Sequence, residues 1–340
     1  MLLETSITRS TALLNANRIV EAEIGLRGAL LVADRMGDTF AALRTRNNLL
    51  GALERVDLEP TLALTREMYD IAQRFGQRTW VQQAIGTGAW SSFDAGRWDD
   101  WITEMADEEP MAAELYRHWF RCERAIRMAH RGHVVEAIPI VEEALASEAV
   151  LASIQATVLT RVRLAEIRML EGRWAEAFEG AREGWGLTEA APGTIGLALH
   201  AAVAAGDQER LREAVAAADG LEEQPISVAV RQIGGVYLAL MGGRWSDART
   251  GFIAAVRTLE ATHYRRVLAS FQMAVGHGAR DRFPEAAQAM QDAESFFAER
   301  GAHAVVASYQ ARAAQADATL VSEWTQRPDP GSRTRNLPVP

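Results

Sequence analysis

Lysine is absent from the 340 residues, and all 36 basic side chains are arginine. A chain without lysine has no phosphate-gripping P-loop, no Schiff base and no lysine general base. Cysteine occurs once, as Cys122, so no disulfide can form within the chain and a reducing, cytoplasmic setting is expected. No apolar run approaches the roughly 20 residues that cross a bilayer. The opening residues, MLLETSITRS, lack the basic flank and apolar core of a signal peptide. Basic excess is missing as well. A net charge of −9 argues against nucleic acid and against anionic membranes, which both attract clustered positive charge. Finally, there is no GxSxG, HExxH, glycine-rich nucleotide loop or CxxC, so no catalytic residue and no cofactor is expected. His130 and His133 straddle a turn, and His118 with Cys122 supplies only two ligands, so no metal site is expected either.

What is present is a repeat. A small or turn residue, often Arg, a large apolar residue, two variable positions and Ala recur along the chain. Gly172-Arg173-Trp174-Ala175-Glu176-Ala177 and Gly243-Arg244-Trp245-Ser246-Asp247-Ala248 are clear copies, and Gly96 to Trp101 is a third. Asn17 to Ala22 is a fourth; looser copies run from Gly132 to Ala137 and Asp281 to Ala286, and blurred ones run from Asp57 to Ala63 and Gly206 to Ala214. Their closing residues (Ala22, Ala63, Trp101, Ala137, Ala177, Ala214, Ala248 and Ala286) are spaced 34 to 41 residues apart, a period that belongs to stacked helix pairs.

Each copy reads as a helix–turn–helix. Gly stops the first helix, an acidic residue in the first turn of the second suits its dipole, and the Ala permits close approach. Twelve residues before the closing position stand Ser10, Gly51, Ala89, Ala125, Ala165, Ala202, Val236 and Ala274, mostly small, as two facing helices require. Met36-Gly37-Asp38 reads as a helix stop followed by an Asp N-cap, and Phe75-Gly76 and Arg300-Gly301 are similar stops. Pro60, Pro192 and Pro225 fall at helix starts, and Pro139 falls inside a helix. No run alternates strictly enough for a strand. The expected fold is all-α: a right-handed α-solenoid of about eight helix pairs over 1–320, capped by a helix over about 302–320, with a disordered, proline-rich tail over 321–340.

The small-residue offsets resemble the tetratricopeptide repeat (TPR), most completely in Ala165/Ala177/Gly184, Val236/Ala248/Ala255 and Ala274/Ala286/Ala293. The aromatic that often opens helix A of that repeat and the proline that closes it are mostly absent, so the copies are divergent. Arg46-Asn47-Asn48-Leu49, Tyr69 to Gly76 and Ser295 to Ala302 are similar to the C-terminal helical-repeat region of bacterial signalling proteins that carry a STAND-type ATPase with a class III adenylate cyclase or a LuxR-type DNA-binding domain. No cyclase, ATPase or DNA-binding signature is present in this chain. The resemblance implies a non-catalytic scaffold or sensor module that binds a protein or peptide partner in a concave groove.

Within that frame Trp98, Trp174 and Trp245 share one repeat position with Ile19, Val134 and Phe283 and are expected in the core. Asn48, Arg55, Gln83, Trp90, Trp119, Glu166 and Tyr237 project onto the inner face and form the candidate partner-binding set. Core packing is the competing role for the two tryptophans, and an ordinary solvated position for each polar residue taken singly. A receptor domain closing on a small molecule or peptide pheromone is the alternative function, and an enzyme on an α-solenoid a remote one.

Overall fold

The computed structural model describes residues 2–16, 18–186 and 191–312. The N-terminal half runs α1 (Leu2–Asn15), α2 (Ile19–Met36), α3 (Thr39–Leu53), α4 (Leu58–Arg74), α5 (Arg78–Asp94) and the short α6 (Ile102–Glu108). A 3-10 turn (Glu109–Met111) leads to α7 (Glu114–His130), α8 (Val134–Ala146) and the single turn α9 (Glu148–Leu151). The C-terminal half runs α10 (Ile154–Leu170), α11 (Trp174–Arg182), α12 (Ala191–Ala205), α13 (Gln208–Asp219), α14 (Pro225–Met241), α15 (Trp245–Ala261), α16 (Arg265–Ala279) and α17 (Pro284–Glu299). Residues 303–312 add a last helical stretch, and the described residues contain no strand. The tail expected over 321–340 lies outside the described residues.

Local chemistry explains the joints. Gly37 ends α2 in the left-handed region, at φ 65°, where only glycine is unstrained, and the Asp38 carboxylate then accepts from the Ala41 N–H to cap α3. Gly172 does the same between α10 and α11, at φ 76°. Pro225 and Pro284 occupy first turns, where a missing N–H costs nothing, whereas Pro139 lies inside α8 as expected.

Packing follows the small residues. Neighbouring helices lie against one another along the chain. Ala22, Ala137, Ala177, Ala214, Ala248 and Ala286 are wholly buried. Glycines one turn further along meet the small residues of the preceding helix: a methyl on Gly180 would stand 3.1 Å from the Ala165 side chain, and one on Gly251 would stand 2.9 Å from Val236. Two readings need correction. Ala63 is exposed; the closing position of that copy is Thr61, wholly buried, its hydroxyl donating to the Asp57 carbonyl at 2.8 Å. Its first-helix counterpart is accordingly Leu49, not Gly51. Trp101 does not close a turn of α6 but precedes it, at φ 68°, because its ring is pressed against Gly88 and covered by the Arg66 guanidinium at 3.8 Å. Burial and this cation–π contact offset the backbone strain.

The array returns on itself. The Leu58 N–H donates to the Thr262 carbonyl, Tyr264 Oη donates to the Glu54 carbonyl at 2.5 Å, and His263 meets the Asp57 carboxylate at 2.7 Å. Further along, Arg266 pairs with Asp94, and Arg300 donates to the Gly96 carbonyl. Residues 54–96 are thereby joined to residues 262–300. No described helix is long and apolar enough to cross a membrane.

Candidate functional site

The self-contact borders a partly open cavity of about 890 Å³. Its wall comes from α1, α3, α5, α7, α10, α12, α14, α16 and 303–312, with Trp174 at the start of α11, while α2, α4, α8, α13, α15 and α17 contribute nothing among the described residues. Alternate helices thus face inward because the small-residue contacts turn the others out.

Of the candidate set, Asn48, Arg55, Gln83, Trp90, Trp119 and Glu166 reach this wall. Asn48 donates to Thr11 Oγ1 at 2.8 Å, tying α3 to α1. Gln83 accepts from Tyr116 Oη at 3.1 Å, and Tyr116 stacks beside Trp119, whose indole lies over Gly86. Both wall tryptophans are half-buried. Tyr237 is the exception: it is wholly buried behind His200, and its ring meets Phe271. The three repeat-position tryptophans also diverge. Trp98 is core, at 2 % exposure, but Trp174 and Trp245 are half-buried, and Trp174 joins the cavity wall.

Beside Trp90 runs a buried chain of charge. Arg127 donates to Glu123 at 3.0 Å; Glu123 accepts from Arg163 at 2.8 Å; Arg163 donates to Glu166 at 2.8 Å. Glu166 in turn meets Arg266 at 3.1 Å, and Arg266 meets Asp94 at 2.5 Å. Three cations thus balance three anions across α5, α7, α10 and α16. The Arg163 guanidinium also covers Trp90 at 3.7 Å. Burial works to raise the Glu166 carboxyl, but Arg266 and Arg163 outweigh it and hold it at about 2. Glu166 is therefore a buried, ionised link rather than a solvated groove residue, a correction to its expected setting.

Two histidines stand near this chain. His130 bonds the Ile126 carbonyl through Nδ1 at 2.8 Å and packs edge-on to Phe93 and Trp98; burial, then Arg266, push it down to about 4. His200, a cavity-wall residue, bonds Tyr237 through Nδ1 at 2.7 Å, and its Nε2 is buried with no partner among the described residues. Burial, then Arg266 and Arg312, push His200 down to about 4. Cys122 is buried, and burial followed by Glu123 pushes its thiol up to about 12, far from a reactive thiolate.

The described residues hold no group of three metal-ligating side chains. Sequence reasoning missed Arg163, His200, Arg266 and Arg312. The pairs Glu123/Arg127 and Arg163/Glu166, at helical spacing, were the one local signal that could have found the first of these. The chain matches no protein-family model and no curated protein.

Proposed function

We infer that the chain is a non-catalytic binding module. It is a TPR-like, right-handed superhelix of eight helix pairs whose interior takes a small molecule or a short peptide segment, and its likeness to bacterial signalling repeats points to a sensor or regulatory role. One observation carries this reading: residues projected inward from four separate stretches of sequence line a single cavity of about 890 Å³, the size range of ligand sites. That wall combines aromatic faces at Trp90 and Trp119 with polar groups at Asn48, Arg55 and Gln83, the mixture that gives both affinity and orientation. The absence of any nucleophile–base pair from the sequence motifs supports binding over chemistry.

The self-contact favours a compact ligand over a long partner segment lying along the whole array. The contacts joining residues 54–96 to 262–300 include a partly exposed ion pair and hydrogen bond at turns and helix ends, His263–Asp57 and Arg300–Gly96, where water can compete. A bound ligand bridging the inner helices would shift the balance between closed and open forms, and so alter the outer surface.

The test is a thermal-shift screen of small metabolites and short peptides, run on the wild type and on a Trp90→Ala/Trp119→Ala double variant. A ligand that raises the wild-type melting temperature and is at least tenfold weaker in the variant supports the reading. Equal affinity in both removes the cavity from the function.

A further inference from the structure

One end of the cavity is formed by α12 and the 303–312 helix, and its polar groups are not balanced as those beside Trp90 are. Tyr237 is wholly buried, and burial raises its phenol well above the ordinary range, so it keeps its proton. That proton needs an acceptor, and among the described residues only His200 Nδ1 lies within reach, at 2.7 Å. Tyr237 therefore donates to Nδ1. The imidazole, neutral at ordinary pH, must then carry its own hydrogen on Nε2. A buried phenol thus fixes the tautomer and leaves a buried N–H donor, on a residue of the cavity wall, without an acceptor among the described residues. His200 itself is only 9 % exposed.

Arg312 stands beside it. Its guanidinium donates to the Val203 carbonyl, one turn along α12 from His200, and is close enough to depress the histidine. Arg163 and Arg266 each meet two carboxylates, but no described carboxylate lies within ion-pair distance of Arg312. Among the described residues, this end of the cavity therefore carries a cation with no carboxylate partner and a neutral donor. Leu197, Val230 and Val305 line the wall around it.

We propose that Arg312 and His200 Nε2–H form a carboxylate-binding subsite, for a monocarboxylate with an apolar body. This rests on the cavity being a ligand site. A single negative charge matches the single guanidinium, with one oxygen on Arg312 and the other accepting from His200. A phosphate monoester, near −2 at neutral pH, would leave a buried charge uncompensated. The apolar wall takes the rest of the molecule. Such a carboxylate comes from two sources, a free organic acid or the C-terminus of an apolar peptide.

The experiment uses the full chain and two matched pairs of probes: decanoate against decan-1-ol, and acetyl-trileucine acid against its amide, each titrated calorimetrically. At least one acid is expected to bind roughly ten- to hundredfold more tightly than its neutral counterpart. The pair that shows the preference identifies the source. Arg312→Gln, which keeps a donor for the Val203 carbonyl, is expected to abolish that preference while its melting temperature stays near wild type. Neutral probes that bind as well as the acids would overturn the subsite and leave the cavity reading standing; binding of none of the four would overturn both. An acid preference undiminished in Arg312→Gln would also overturn it. Nitrogen-15 spectra of the histidines give an independent reading in the unaltered protein: a proton on His200 Nε2 is expected, and a proton on Nδ1 would refute the assignment.

Discussion

Arg163 illustrates how a single side chain is held inside this molecule. It is 2 % exposed, and burial alone opposes its charge, yet Glu123 and Glu166 raise its proton affinity above that of a free arginine. Two carboxylates and the Trp90 face surround the guanidinium. Removing it leaves three buried carboxylates, Glu123, Glu166 and Asp94, facing only Arg127 and Arg266 in a medium that cannot solvate the excess charge. Arg163→Met should therefore cost about 3–5 kcal/mol of stability, read as a lower urea midpoint. The exposed Arg27–Glu23 pair sets the contrast: Arg27→Ala should change stability by less than about 0.5 kcal/mol, because water replaces what is lost. If Arg163→Met costs no more than Arg27→Ala, water reaches the chain of charge and its ion pairs do not hold the fold together.

At the scale of helices, affinity between neighbours depends on what is absent from their contact faces. Gly251 on α15 leaves room for Val236 on α14, and a side chain there would meet it at 2.9 Å. Gly251→Val should cost about 1–3 kcal/mol by overpacking. Gly28, exposed in the middle of α2, faces nothing within 4 Å, so Gly28→Ala should stabilise by about 0.5–1 kcal/mol through helix propensity. Opposite signs for the same residue type separate contact from propensity, and thermal melts of the two variants distinguish them. Such contacts were legible in the sequence because they recur at a fixed offset and use a residue that has no other reason to recur. Gly37 and Asp38 were legible too, since a helix stop and an N-cap are local chemistry. Thr61 was not: it takes the place of an alanine, and the nearest alanine that fits the repeat, Ala63, faces solvent. The inward residues Asn48, Gln83, Trp90 and Trp119 followed from helical projection. Arg266 did not, because Asp94 and Glu166 lie on helices it meets only when the array closes, and His200 and Arg312 did not, because Tyr237 and the Val203 carbonyl lie on other helices. Arg163 lies 40 residues from Glu123, and Tyr264 lies 210 from the Glu54 carbonyl it bonds. No local periodicity encodes such contacts.

For the molecule as a whole, closure places His130 and His200 where neither can readily accept a proton, and acid should therefore open it. Both are held at about 4, below the 6.5 of a free imidazole. Arg266 and Arg163 face His130 and are only partly offset by Glu166, while Arg266 and Arg312 face His200. Between pH 6.5 and 4 the unfolded chain binds protons at these positions that the folded chain refuses, so stability falls as pH drops through that window. Each unit of depression is worth about 1.4 kcal/mol, which makes the pair a loss of several kcal/mol by about pH 4. His277, also lowered by burial, adds in the same direction. Glu166 acts later: held at about 2, it stabilises above pH 4.5, and that contribution is lost as pH falls towards 2. Urea unfolding measured between about pH 7 and 5.5, above the range where ordinary carboxylates titrate, should show stability declining with a slope approaching two protons. His130→Phe should remove about one proton from that slope, since Phe can occupy the niche between Phe93 and Trp98. A stability that stays level down to about pH 5.5, or a slope unchanged in His130→Phe, would mean that these imidazoles reach water and that the cavity end of the array is open in solution.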